Sequence, residues 1–222
     1  MTVQQLISPD IEPLAPTDTA GHAIYRLAEL DVEHLPVVSG EGQLLALVSE
    51  NEMLETGDLG TELGALVGLG VLSVTPEVHL FEAASLLSVH HLSVLPVAEE
   101  DGEYAGAVRR RVLFEELAGM LSTGTPGTIL ILEVSLRDYS LSVLSRLIEQ
   151  SDAKVLSLAT QGEGALEGGL IRVTIKLNVT DTARVRHVLE HHGYRVAAVF
   201  NEQDGDDELS LRAQEFMRYL EV

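Results

Sequence analysis

At 222 residues and 24.0 kDa the chain is long enough to bury more than one small core, and its 45% hydrophobic content excludes a disordered polypeptide. It carries 35 acidic against 14 basic residues, a formal charge of −21, and no cysteine, which excludes disulfide scaffolds, thiolate metal sites and cysteine nucleophiles. No apolar run reaches the roughly 18 to 20 residues of a membrane span, and "MTVQQLISPD" lacks the basic start and apolar core of a secretory leader, so a cytoplasmic protein without membrane contact is expected.

The segment "IEPLAP" (11–16) reads as extended chain. Thr17, Asp18 or Thr19 can cap a helix over 20–30, where Ile24, Leu27, Ala28 and Leu30 form an apolar stripe. "HLPVVS" (34–39) and "QLLALVS" (43–49) read as hairpin strands around Gly40-Glu41-Gly42, with a short helix near 50–56. The same order returns as "LSVTPE" (72–77), a helix over 79–89, "SVLPVAE" (93–99), a turn at Asp101-Gly102, "EYAGAV" (103–108) and a helix over 111–121. The offset is 60 residues without a gap: Leu35-Pro36-Val37 falls on Leu95-Pro96-Val97, Gly42 on Gly102, Met53-Leu54 on Leu113-Phe114, and Pro16 on Pro76. A unit of about 60 residues barely closes its own core, so two tandem copies are expected to share a face by quasi-twofold pairing.

After a Gly/Thr/Pro linker the pattern changes. "TILILEVSL" (128–136) is an apolar strand, and Leu141, Leu144, Leu147 and Ile148 have helical spacing within 139–151. Strands are expected at 153–162 and 169–179, the second alternating with Ile171, Val173, Ile175 and Leu177 on one face. Asp181 or Thr182 can cap a helix that Gly193 ends, and "YRVAAVFN" is the last strand. This βαββαβ order predicts one sheet with two helices on one face. An acidic loop and a terminal helix "LSLRAQEFMRYL" follow, and the apolar residues of that helix call for a partner surface.

With lysine only at 154 and 176, the acidic surface has a halophile-like composition, and residues 1–120 hold −16 of the charge against −5 for the rest. Neither part offers the basic face that nucleic acid requires. No Walker-type phosphate loop, His-Glu-x-x-His or Gly-x-Ser-x-Gly occurs, and His187 and His191, four apart on a helix, read as a solvated face rather than a metal site. No catalytic constellation emerges, and a non-enzyme is expected.

The repeated order and the "hLPVV…G…V-S" signature resemble a tandem pair of CBS domains, a Bateman module, over about 1–121, with repeats at 1–60 and 61–121. The βαββαβ segment at 128–201, after a linker at 122–127 and before the tail at 202–222, resembles an ACT domain. The whole order is similar to bacterial acetoin utilisation-type CBS–ACT proteins. The expected fold class is therefore α/β (α+β): two β-α-β-β-α repeats and a ferredoxin-like domain.

The resemblance implies adenosine nucleotides bound in clefts between the repeats, with AMP, ADP, ATP or S-adenosylmethionine as regulatory ligand and no required cofactor. The family pattern ends the second hairpin strand in Thr or Ser, two variable residues and Asp, where hydroxyl and helix-start N–H groups meet phosphate and the carboxylate holds ribose. Ser49 and Glu52 fit this in the first repeat, Glu replacing Asp, while Arg109 and Val112 stand there in the second. The implied contacts are Pro16, Leu35, Pro36, Val37, Ser49, Glu52, Thr75, Pro96, Val97, Arg109, Arg110 and Arg111. The three arginines read either as partners of Glu99, Glu100, Asp101, Glu115 or Glu116, as an anion site, or as a subunit contact. In the ACT-like part the family's Asp-x-x-Gly becomes Asp138-Tyr139-Ser140-Leu141, which weakens an amino-acid site there. The leading expectation is a homodimeric regulator sensing a small anionic ligand, an adenine nucleotide first. The alternatives are a structural dimerisation module with decayed sites and amino-acid sensing through the ACT-like part.

Overall fold

The computed structural model describes residues 1–66, 71–162 and 169–201. The expected C-terminal helix and most of the acidic loop lie outside the described residues. The chain divides into a compact unit Met1–Glu116 and a second beginning at Leu117.

In the first unit the repeat is realised element by element: α1 (Ala20–Leu30), β1 (His34–Val38), β2 (Leu44–Ser49) and α2 (Glu50–Glu55), then α3 (Leu80–Val89), β3 (Val94–Ala98), β4 (Tyr104–Arg109) and α4 (Arg110–Met120). Of the three candidate caps, Thr19 caps α1, its side chain accepting from the His22 amide at 3.2 Å. The hairpins are antiparallel, and each turns on a glycine of positive φ, Gly42 (86°) and Gly102 (88°), a conformation that strains any residue with a Cβ. The extended starts add a parallel bridge to each hairpin, Leu14 with Val37 and Val74 with Val97.

Two short 3₁₀ turns, Val3–Leu6 and Leu63–Ala65, are absent from the expected elements. Each docks on the other repeat's helix start. The Val3 amide donates to Val78 O (2.9 Å), and the Leu63 amide donates to Asp18 O (2.8 Å). The hairpin turns also exchange bonds, Tyr104 N to Gly42 O (2.9 Å) and Leu44 N to Gly102 O (3.1 Å). These contacts are related by the 60-residue offset, so the quasi-twofold is built from backbone hydrogen bonds. The opening turn belongs structurally to the second repeat. Leu27, Leu35, Val37, Met53 and Leu63 are buried with Val94 and Ala107 of the second repeat in one core.

The second unit holds β5 (Thr128–Ser135), α5 (Leu141–Glu149), β6 (Val155–Gln161), β7 (Leu170–Leu177), α6 (Ala183–His191) and β8 (Arg195–Asn201). The sheet order is β6-β7-β5-β8 and every pairing is antiparallel, the ferredoxin-like arrangement. Leu130, Leu132 and Val134 of β5 and the alternating set of β7 bury against Leu144, Leu147, Ile148, Val185 and Leu189 of the helices. The first helix begins at Leu141 rather than 139, because Tyr139 turns inward against this core. The residues after α4 lie on the helix-free face, where Leu121 O accepts from Ser157 Oγ (2.8 Å) and Thr123 O from Lys176 Nζ (3.3 Å).

Candidate functional site

The β2–α2 corner places the first repeat's candidate residues. Ser49 is the N-cap of α2: its Oγ accepts from the Glu52 amide (3.3 Å), while Glu52 Oε2 accepts from Ser49 N (2.8 Å) and Ser49 Oγ (2.9 Å). This is a capping box, which the spacing Ser-x-x-Glu specifies on its own account. Glu52 Oε1 accepts no hydrogen bond among the described residues. Beside the corner lies a cleft of about 490 Å³, lined by residues 45–48 of β2, Glu52 and Met53 of α2, and Leu66, Val71 and Leu72 of the inter-repeat segment. Met53 and the inter-repeat residues were not among the expected contacts. Their signal is positional, since they flank the repeat boundary in an apolar run.

The equivalent corner of the second repeat is closed from within. Arg109 stands in place of Ser49, its side chain only 13% exposed. Its Nη1 donates to Leu30 O at the end of α1 (2.8 Å) and its Nη2 to Asp10 Oδ2 (2.5 Å). A guanidinium at a helix C-terminus meets the negative end of the dipole, so this arginine caps α1 as well as neutralising Asp10. Ser8 N donates to Ala107 O (2.8 Å), laying the chain's start against β4. Ile7 packs over Gly106 so tightly that a Cβ there would sit 2.5 Å from Ile7 Cγ2. Val112 replaces the carboxylate.

The three arginines thus have three fates. Arg111 faces Glu115 (3.7 Å), one of the carboxylates expected as a partner, whereas Asp10 was not among them. Arg110 is exposed, makes no ion pair among the described residues, and lines two smaller cavities of about 370 and 270 Å³ with Asp31, Val32 and Ser93. Between the repeats, Ser93 Oγ accepts from Glu33 N (2.9 Å) and His34 Nδ1 accepts from Ser93 N (3.3 Å). Burial lowers the His34 pKa, with a smaller push the same way from Arg110, while Glu33 and Glu52 oppose it.

The other expected contacts sit deeper. Leu35, Val37 and Val97 are fully buried core residues. Pro36 and Pro96 offer their carbonyls to Leu14 N (2.8 Å) and Val74 N (3.1 Å), Pro16 O accepts from Gly64 N (2.8 Å), and Thr75 O from Val78 N (3.2 Å). None of these seven lines the open cleft. In the second unit Asp138 closes the turn after β5 through Ser135 Oγ (2.7 Å), Tyr139 packs on the core, and Ser140 precedes α5 without a side-chain cap bond. The His187 and His191 rings stack at 6.4 Å, and no group of three or more metal-ligating side chains occurs among the described residues. No described helix is long and apolar enough to cross a membrane.

This is the architecture of a duplicated module in which one corner stays open and its counterpart is filled. The CBS domain model matches residues 3–57 and 68–119, and the first unit is a tandem CBS pair, a Bateman module; the second unit is consistent with an ACT-like domain. Among solved structures the chain is similar to a CBS domain pair/ACT domain protein of Thermotoga maritima (24% identity, 55% of this chain and 99% of that one, TM-score 0.49). It is similar also to a putative acetoin utilization protein of Vibrio cholerae (24% identity, 56% and 95%, TM-score 0.49). Among curated proteins, homoserine O-acetyltransferase of Methanocorpusculum labreanum is 28% identical over 115 residues. That match takes in 51% of this chain and 23% of the relative, so the chain spans about a quarter of the relative's length.

Proposed function

We propose that this protein is a regulatory module that binds one adenine nucleoside or nucleotide per chain, in the cleft of the first CBS repeat, and transmits occupancy through its assembly state. The observation that carries this is the contrast between the corners. One keeps an open, largely apolar cleft of about 490 Å³ beside a carboxylate oxygen that the capping box leaves unused, and the other is filled by Ile7 and Arg109. Apolar walls suit a base, and a carboxylate acceptor suits a ribose diol. Isothermal calorimetry with adenosine, AMP, ADP, ATP and S-adenosylmethionine, in low and molar salt, tests it. Saturable binding near one ligand per chain supports the reading. Two equal sites, or no heat from the whole panel, overturns it.

A second reading, a purely structural dimerisation module, draws support from the engagement of Ser49 and Glu52 with each other. Both readings place this chain in a homodimer. Leu54 of α2 and Phe114 of α4, offset by 60 residues, are 57% and 68% exposed and offer a quasi-symmetric apolar contact. Light scattering in molar salt that finds only monomer at micromolar concentrations would count against the dimer.

A further inference from the structure

Among the described residues the open cleft carries a single ionisable group, and it is an acid: Glu52, in otherwise apolar lining. Cations are scarce around it. Residues 1–120 contain four arginines, no lysine and twenty acidic residues. Arg26 is held by Glu29 (2.8 Å) and faces Glu12 (3.6 Å), Arg109 is held by Asp10, and Arg111 faces Glu115. Arg110 lines the cavities at Asp31 and Ser93, not this one. Residues 67–70, which follow Leu66 in the chain, are Val, Gly, Leu and Gly and bring no charge. Among the described residues, no cationic side chain lines this cleft to neutralise a phosphate group.

The consequences for a ligand are opposite at its two ends. Glu52 Oε1, unused by the capping box, can accept from a hydroxyl or amine and attracts a positive centre. A phosphate brought beside the same carboxylate meets like-charge repulsion, and apolar walls screen it less than water would. Each additional phosphate adds to that repulsion.

We infer that the first-repeat cleft takes an uncharged or cationic nucleoside and discriminates against polyphosphate forms, with Glu52 setting the preference. This rests on the nucleoside reading above and narrows it to the charge class of the ligand. It places the recognition energy in base stacking against apolar walls and in ribose hydroxyl bonds, rather than in phosphate capture.

The test is calorimetry on the full chain with adenosine, S-adenosylmethionine, AMP and ATP, repeated for Glu52→Gln. Glutamine at this position retains a capping box, so the variant keeps its fold, and a matching thermal midpoint verifies that. The expected result at low salt is adenosine or S-adenosylmethionine binding at least about tenfold more tightly than ATP, with AMP between. The gap should shrink severalfold in molar salt and in Glu52→Gln. ATP binding as tightly as adenosine in the parent protein overturns this inference and leaves the nucleoside reading standing. No binding by any of the four overturns both. A gap that survives unchanged in Glu52→Gln overturns the role given to that residue.

Discussion

At the end of β2 the hydroxyl of Ser49 and the carboxylate of Glu52 close on each other, and the space beside them stays open. At the end of β4, on a backbone of the same design, Arg109 reaches out to Asp10 and the last turn of α1, and Ile7 fills the space over Gly106. The difference teaches how a duplicated unit becomes unequal without changing its fold. The quasi-twofold rests on backbone bonds that any sequence of the right turn chemistry supplies. The corner side chains are therefore free to diverge, and the space at one copy's corner has been given over to the chain's own packing.

The contrast can be broken most severely at Gly106. Its φ of 143° and the 2.5 Å approach of Ile7 predict that Gly106→Ala destabilises the protein by about 3 kcal/mol, read as a lowered denaturant midpoint. At the counterpart Ala46 the reverse change, Ala46→Gly, is expected to cost about 1 kcal/mol or less. Next in size is Arg109→Ser, which removes the pair with Asp10 and the bond to Leu30 O and should cost about 2 kcal/mol in chemical denaturation. Adding Val112→Glu restores Ser-x-x-Glu at the second corner. The double variant is expected to recover part of that loss through a new capping box, and recovery of less than a few tenths of a kcal/mol would count against an equivalent backbone at the two corners.

Much of this was legible in the sequence for physical reasons. The 60-residue echo carried the hairpin glycines, the buried Leu-Pro-Val segments and the helix stripes, because periodicity and turn chemistry are local. The second unit's alternation at 171–177 was equally direct. The exchange of 3₁₀ turns was not legible, since Val3–Leu6 finds its partner about 75 residues away and no local pattern announces that. The candidate site was legible at its corner only. Of the expected contacts only Glu52 lines the cleft; Ser49 caps the helix beside it, Leu35, Val37 and Val97 belong to the core, and Arg109 is held by Asp10, a residue 99 positions away. The Ser-x-x-Glu spacing also encodes a capping box, and the same four letters carry either reading in the sequence.

A smaller difference between the repeats lies at Tyr104, whose counterpart is Leu44. The tyrosine hydroxyl is buried without a hydrogen-bond partner among the described residues and burial raises its pKa, so Tyr104→Phe removes an unsatisfied polar group. It is expected to be neutral or to stabilise by up to about 1 kcal/mol, and a clear loss in thermal unfolding would point to a bond absent from this structure.

The subtlest asymmetry is His34, which faces Ser93 across the quasi-twofold, while the counterpart of His34 in the second repeat is Val94. Its Nδ1 accepts the Ser93 amide hydrogen, a role open only to the unprotonated nitrogen, and burial holds its pKa below the ordinary 6.5. The unfolded chain therefore takes up this proton first. Between 6.5 and the lower folded-state value the unfolded state holds more protons, so this contribution is complete above pH 6.5 and is lost as the pH falls through that value. Glu33 and Glu52 partly offset the burial and Arg110 reinforces it, so the loss should be modest. His34→Gln retains an acceptor for the Ser93 amide but cannot titrate. Its thermal midpoint should fall less steeply than the parent's between pH 7 and 5, and parallel curves would show that the contact between the repeats does not respond to protons.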